Sequence, residues 1–317
     1  MTTSASALCY TQLDNYELIE CSGPDALVFL QGQLTCDVRL LDDDKYHSSA
    51  ILGSCCNVQG RMIAVFHIMK PSKDTLWFIL PKNNTAQFLA HLAKYSVFSK
   101  VTITQNPHQL SLYGCWHISS QAQLSLQSDQ TKYFSIAQPA AHEMTASAFV
   151  ITSQPFTPNA TLCKQQAWHL HWLQQGLPLY DQSLNGQFMP HELHFDWLGG
   201  VSYKKGCYTG QEPIARLHFK GVAKFECKLI EWQSLQANAT LEQSTASPDM
   251  IQVKKDEKKI GALLDWVATD HGWLGLAKLR LDAMLDAKSD TELELPWWQA
   301  QAKIADLAYN KTSKVVV

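Results

Sequence analysis

The sequence predicts an α+β protein: a largely antiparallel sheet with helices packed on it, followed by a small β-barrel. Over roughly the first hundred residues, the apolar period alternates between strand and helix spacing in the order strand, helix, strand, strand, strand, helix, strand. From residue 224 the texture becomes strand after strand, with polar turns and no helix between. These two signals divide the chain into 1–223, read as two α+β subdomains, and 224–317, the barrel.

The first strand is "YELIEC" (16–21). In "SGPDALVFLQGQL", Ser22 offers an N-cap and Pro24 a first-turn residue, with apolar residues at 27, 29, 30 and 34, which predicts an amphipathic helix. "SSAILGSCCNVQGRMIAVFHIMK" reads as two strands about a turn at Asn57 to Gly60, and "TLWFIL" as a third. "NTAQFLAHLAKYSVF" is a helix, and "KVTITQ" the strand after it. Residues 105–160 carry short strands and Ser/Gln/Ala-rich loops. "TLCKQQAWHLHWLQQG" is a helix closed by Gly176, with the two histidines of "HLHW" expected to project outward. "KFECKLIEW", "MIQVKK", "KIGALLDWVA" and "GWLGLAKL" are barrel strands, and 233–248 is loop-like.

Composition fits a folded chain and excludes several function classes. Apolar residues make up 46% of the 317 and there are ten tryptophans, as in a globular protein. A net charge of −3 with 17% charged residues supplies no global field for duplex DNA or an anionic membrane. Nine cysteines, an odd number with no CxxC pair, predict free thiols in a reducing cytoplasm. The N-terminus lacks the pattern of a signal peptide, and no apolar run suggests a membrane helix.

Three constellations tempt a chemical reading. "PHELHF" (190–195) resembles a zinc motif, but His191 and His194 are three apart, and no cysteine or carboxylate follows at a recognisable spacing, so no metal site is expected. The adjacent Cys55 and Cys56 fit packing on a strand, and Asp37, after the first helix, fits a solvated or capping role better than that of a substitute acid. "SYKKGCYTGQEPIAR" (202–216) differs from its surroundings in glycine and charge. Thr209 and Glu212 have capping-box spacing, so a helix begins near 210, after a short strand at "VSY". Cys207 would then lie outside the helix's positive end, near Lys204, Lys205 and Arg216, a setting suited to a reactive thiol or a bound anion. The residues alone leave this open against a glycine-rich connection with an incidental cysteine. His218 follows too far along to be assigned as a base for Cys207.

"KGCYTGQE" (205–212), continued by "ARLHFKG", resembles the signature of the YgfZ family, folate-binding relatives of the glycine cleavage T-protein. "GPDALVFLQGQLTCDV", "NVQGRMIAVF" and the run from Gly176 to Glu212 are similar to the family pattern as well. The resemblance implies three subdomains around a central hole that holds tetrahydrofolate or a derivative. It also implies a cytoplasmic role supporting iron–sulfur cluster assembly or repair and tRNA modification, with iron–sulfur enzymes, radical-SAM tRNA-modifying enzymes among them, as partners. It makes Cys207 the functional thiol and places Lys205, Gly206, Tyr208, Gly210, Gln211, Glu212 and Arg216 at the folate site, with Lys205 and Arg216 toward the glutamate tail. Gln174 stands where the T-protein has the glutamate that holds the pteridine, and Gly60 to Ala64 lacks the T-protein's Asp pair. The expected function is therefore a folate-binding accessory protein rather than an aminomethyltransferase, the alternative being a folate-dependent one-carbon transferase or demethylase.

Overall fold

The computed structural model describes residues 8–46, 48–117, 131–136, 146–233, 251–284, 291–305 and 307. In chain order the strands are β1 Cys9–Gln12, β2 Tyr16–Ser22, β3 Ser49–Cys56, β4 Met62–Ser72, β5 Thr75–Pro81, β6 Thr102–Gln105, β7 Ser111–Trp116, β8 Thr131–Ile136, β9 Ser147–Thr152 and β10 Thr161–Leu162. The barrel adds β11 Phe225–Trp232, β12 Gln252–Lys255, β13 Lys258–Thr269, β14 Gly272–Arg280, β15 Glu292–Leu295 and β16 Ala300–Ala305. The helices are α1 Ala26–Gln31, α2 Thr85–Ser96, α3 Gln165–Gln174 and α4 Gln211–Lys220.

Ten strands form one mixed sheet in the order β10-β1-β7-β9-β8-β3-β4-β5-β2-β6. It consists of two five-stranded halves joined where β3 pairs in parallel with β8, Ser49 opposite Ser135 and Ala50 opposite Ile136. β3 sits at this seam, and all eight of its residues are buried, as the near-continuous small and apolar run "SAILGSCC" requires. β11 to β16 close into a six-stranded barrel that begins at Phe225. The α+β architecture with a terminal barrel is therefore as the sequence predicts. The loop-like stretch 233–248 lies almost wholly outside the described residues, as do 118–130 and 137–145.

One face of the first half-sheet packs under α1 and α2, with Phe66, Phe78 and Phe88 in mutual contact. The other face joins a large core that runs continuously through the second half-sheet, α3, the 177–201 segment and the near side of the barrel. Leu264, Val267, Leu274 and Leu276 of the barrel belong to that core, so the barrel is packed onto the sheet rather than tethered to it. The segment after α3 has little regular structure and is held by specific bonds. Met62 N donates to Phe188 O (2.9 Å), Gly186 N to Met62 O (2.7 Å), and the buried Tyr180 hydroxyl lies 2.8 Å from both Met62 O and Leu184 O.

Three local expectations need correction. The first helix starts at Ala26, because Ser22 is the last residue of β2, and Asp25 turns its carboxylate to Lys100 N (2.7 Å) instead of capping. "VSY" is not a strand; Val201 is buried in the shared core and Ser202 N donates to Thr35 O (2.9 Å). The α3 histidines do not face solvent. His171 is 4% exposed and lies 2.6 Å from Ser147 Oγ, and His169 reaches Asp265 of the barrel at 2.8 Å. Buried polar partners on β9 and β13 take the place of water, a pairing that a helix-by-helix reading does not contain.

Candidate functional site

The 202–216 segment is built by ties to two neighbouring turns. Lys205 Nζ donates to Leu34 O (2.6 Å) and Cys36 O (2.8 Å) and lies over the Tyr208 ring. Burial pushes its ammonium down to about 8, against the opposing pull of Cys36 and Asp37. Thr209 contributes its N–H to Gly32 O (3.1 Å) and its hydroxyl to Gln33 Oε1 (3.2 Å). Gln211 folds back so that its Oε1 accepts from Tyr208 N (3.1 Å). Gly210, not Thr209, is the N-cap of α4, and it stands at φ +80°. A Cβ there would come 2.3 Å from Asn57 O, because the β3–β4 turn presses directly against it. Gly60 on that turn, at φ +75°, meets Pro213 in the same way. The capping box read from the sequence does not form, since Glu212 instead pairs with Arg216 (2.8 Å) on the exposed face of α4.

These contacts change the roles given to the motif. Lys205 is a clamp on the 34–36 backbone, and Arg216 is held by Glu212, so neither side chain points an uncommitted charge at Cys207. Tyr208 is buried, while Gly206 and Cys207 form the exposed apex. Among the nine cysteines, all without disulfides, Cys207 is the one exposed; six are buried, and Cys9 and Cys163 are half-buried. Burial pushes the Cys21, Cys36, Cys56 and Cys115 thiols up to about 12. Cys55 and Cys56 are strand packing, as expected. Asp37 is a cap: it accepts from Arg39 N (3.2 Å) and from Gln31 (2.9 Å), and the Arg39 hydrogen bonds hold its carboxyl below the usual range.

A second set of groups converges between the two half-sheets beneath α3. There a cavity of about 50 Å³ is lined by Tyr16, His67, Phe149, His169, Trp172 and Tyr180, with aliphatic side chains completing the wall. His67 lies between Trp172 and Phe149, at ring distances of 5.1 and 5.2 Å. Its Nε2 is buried with no hydrogen-bond partner, and burial holds the imidazole down to about 3, hence neutral. Behind the wall, buried Asp265 accepts from Leu179 N (2.6 Å) and Trp266 N (2.8 Å) and pairs with His169. Burial opposes a charge on His169, but the Asp265 carboxylate outweighs it and raises the imidazole above its ordinary 6.5. Gln174 does not line this cavity; it is exposed at the last position of α3. Sequence reading missed His67 and Asp265, since a lone histidine or aspartate within an apolar strand carries no local signal.

The "PHELHF" segment is a 3₁₀ turn, Pro190–Leu193, ended by His194 at φ +57°. Its two histidines part. His194 Nε2 accepts from Cys227 N (3.3 Å), and His191 Nε2 meets the Tyr203 hydroxyl (2.7 Å). His218 stacks on Tyr203 at 3.7 Å, which places it with His191 rather than as a base for Cys207.

Among the described residues no helix is long and apolar enough to cross a membrane. No family model matches the chain. The chain is 30% identical over 307 residues to the tRNA-modifying protein YgfZ of Hamiltonella defensa, covering 88% of this chain and 86% of the relative. It is 32% identical over 227 residues to the protein of that name from Escherichia coli O157:H7, covering 67% and 68%. The one from Sodalis glossinidius is 28% identical over 319 residues and 92% of both chains. Among solved structures, the glycine cleavage system aminomethyltransferase T from Bartonella henselae superposes with a TM-score of 0.70 at 12% identity, over 96% of this chain and 86% of that one. That likeness establishes the fold, a mixed sheet with a closed six-stranded barrel packed on it. By its sequence relatives, the chain belongs to the YgfZ family.

Proposed function

We propose that this protein is a folate-binding accessory factor supporting iron–sulfur enzymes, including those that modify tRNA, and that Cys207 is its working thiol. The observation that carries this reading is the solvent-facing Cys207 on a loop whose Lys205 and Thr209 side chains are turned into the framework. One cysteine is too few to hold a cluster, which needs about four ligands, so the thiol acts on or relays a species held by a partner. The relatives' name, tRNA-modifying protein, supports the assignment of clients.

The folate half of the proposal rests on the central cavity. Trp172 and Phe149 offer flat apolar walls, and the unpartnered His67 Nε2 offers a hydrogen bond to a ring edge. At about 50 Å³ the cavity holds a few waters, so a pteridine enters only as the wall side chains part. Tetrahydrofolate would bring one-carbon chemistry on its ring nitrogens. The chain's residues would supply stacking and orientation. A one-carbon transferase reading has less support: Gly60 to Ala64 carries no carboxylate, and Asp265 is already engaged by three donors. Turnover of a methylamine donor by the purified protein with tetrahydrofolate would establish the transferase reading instead.

The test is complementation in a bacterium lacking its own YgfZ relative, with iron–sulfur-dependent tRNA modification read by mass spectrometry. Wild type and Cys163→Ala restore the modification; Cys207→Ala, at equal abundance, does not. A fully active Cys207→Ala contradicts the proposal.

A further inference from the structure

We propose that His191, Asp196 and His218 form a binding site for one divalent transition-metal cation of the zinc or ferrous class. One ligand atom from each lies within 4.8 Å of the other two, and His191 Nε2 is 4.0 Å from Asp196 Oδ2. Bonds of about 2.0–2.2 Å to a tetrahedral ion place neighbouring ligand atoms about 3.3–3.6 Å apart. The three side chains therefore need to close by roughly 1 Å, a rotation of χ angles rather than a rearrangement of backbone. Two imidazoles and a carboxylate suit borderline cations and leave further positions open.

Independent features point the same way. The His191 and Asp196 side chains are 9% and 14% exposed, so an ion would be shielded, while His218 on α4 leaves an entry side. The turn is also rigid. Pro190 opens it, Glu192 accepts from Met189 N (2.8 Å), and Glu192 is anchored to Lys278 of the barrel (2.6 Å). Tyr203 borders the site, its ring stacked on His218 and its hydroxyl 2.7 Å from His191 Nε2, a hydrogen bond that a bound ion would replace. An ion here would clamp the 190–196 turn to α4, and so fix both ends of the segment that carries Cys207, since Tyr203 precedes it and His218 follows it.

The experiment strips the full chain with a chelator and titrates it separately with Zn²⁺, Fe²⁺ under anaerobic conditions, and Co²⁺, whose visible spectrum reports coordination. One equivalent should bind per chain, and affinity should fall at least tenfold in His218→Gln and in Asp196→Asn, with no change in His108→Gln, an exposed control. Far-UV circular dichroism checks folding. Should Asp196→Asn unfold, His218→Gln, on the partly exposed face of α4, still decides. Absence of stoichiometric uptake by wild type would overturn the site, as would unchanged affinity in His218→Gln. Binding that vanished in Cys207→Ser instead would also overturn it, by assigning the ion to the thiol.

Discussion

The loop around Cys207 and the cavity beneath α3 treat their polar groups in opposite ways. On the loop, Lys205, Thr209 and Gln211 all turn inward to backbone or amide partners, and the apex is left to Gly206 and Cys207. At the cavity, the aromatic wall holds a buried imidazole nitrogen with no partner. A segment dense in unusual residues is thus a frame that presents one atom, while an inconspicuous apolar region keeps polar capacity in reserve. The difference teaches that residue density marks where the backbone is constrained, and an unmet hydrogen bond marks where a ligand can be accommodated.

Removing the cavity's structural support gives the largest expected effect. Asp265→Ala takes the carboxylate from two backbone N–H groups and from His169, which should cost about 3–5 kcal/mol in denaturant unfolding. A loss under about 1 kcal/mol would mean that the barrel is held by apolar packing alone. The same pair has a pH signature. Because the folded pKa of His169 is raised above 6.5, its contribution is full below that pH and fades as pH rises through the raised value. The stability gap between wild type and His169→Gln should therefore shrink as pH rises above about 6.5, the ordinary imidazole value, and a gap that widened would contradict the assigned charge state.

On the loop, Gly210→Ala should cost roughly 2–4 kcal/mol, combining left-handed strain with a collision against Asn57 O. A change of only a few tenths would remove the frame from the comparison. His67→Leu sharpens the other side. Stability should hold or rise, because a buried unpaired nitrogen is deleted, while tetrahydrofolate affinity should fall about tenfold by calorimetry. Unchanged affinity would place the ring elsewhere.

How much of this was legible follows the same division. The order of elements from β2 to β6, the hairpin about Asn57 to Gly60 and the first four barrel strands from 225 were readable, because each is written in local periodicity and turn residues, whereas β1, β15 and β16, short strands with little pattern of their own, were not. The family motif was readable for the same reason. The roles of Lys205, Arg216 and Gln174 were not: a cation's partner depends on what folding brings beside it. Lys205 meets carbonyls some 170 positions away, with separations of 171 and 169 residues. His67, Asp265 and the grouping of His191, Asp196 and His218 depend likewise on strands and turns far apart in sequence.

The central claim, that the fold offers Cys207 alone, is tested most directly by alkylating the native protein with limiting iodoacetamide and locating the label by mass spectrometry. Cys207 should be modified first and nearly to completion before any other thiol, with Cys9 and Cys163 following only slowly and the six buried cysteines reacting on unfolding. Equal early labelling of Cys163 or Cys9, or protection of Cys207, would contradict it.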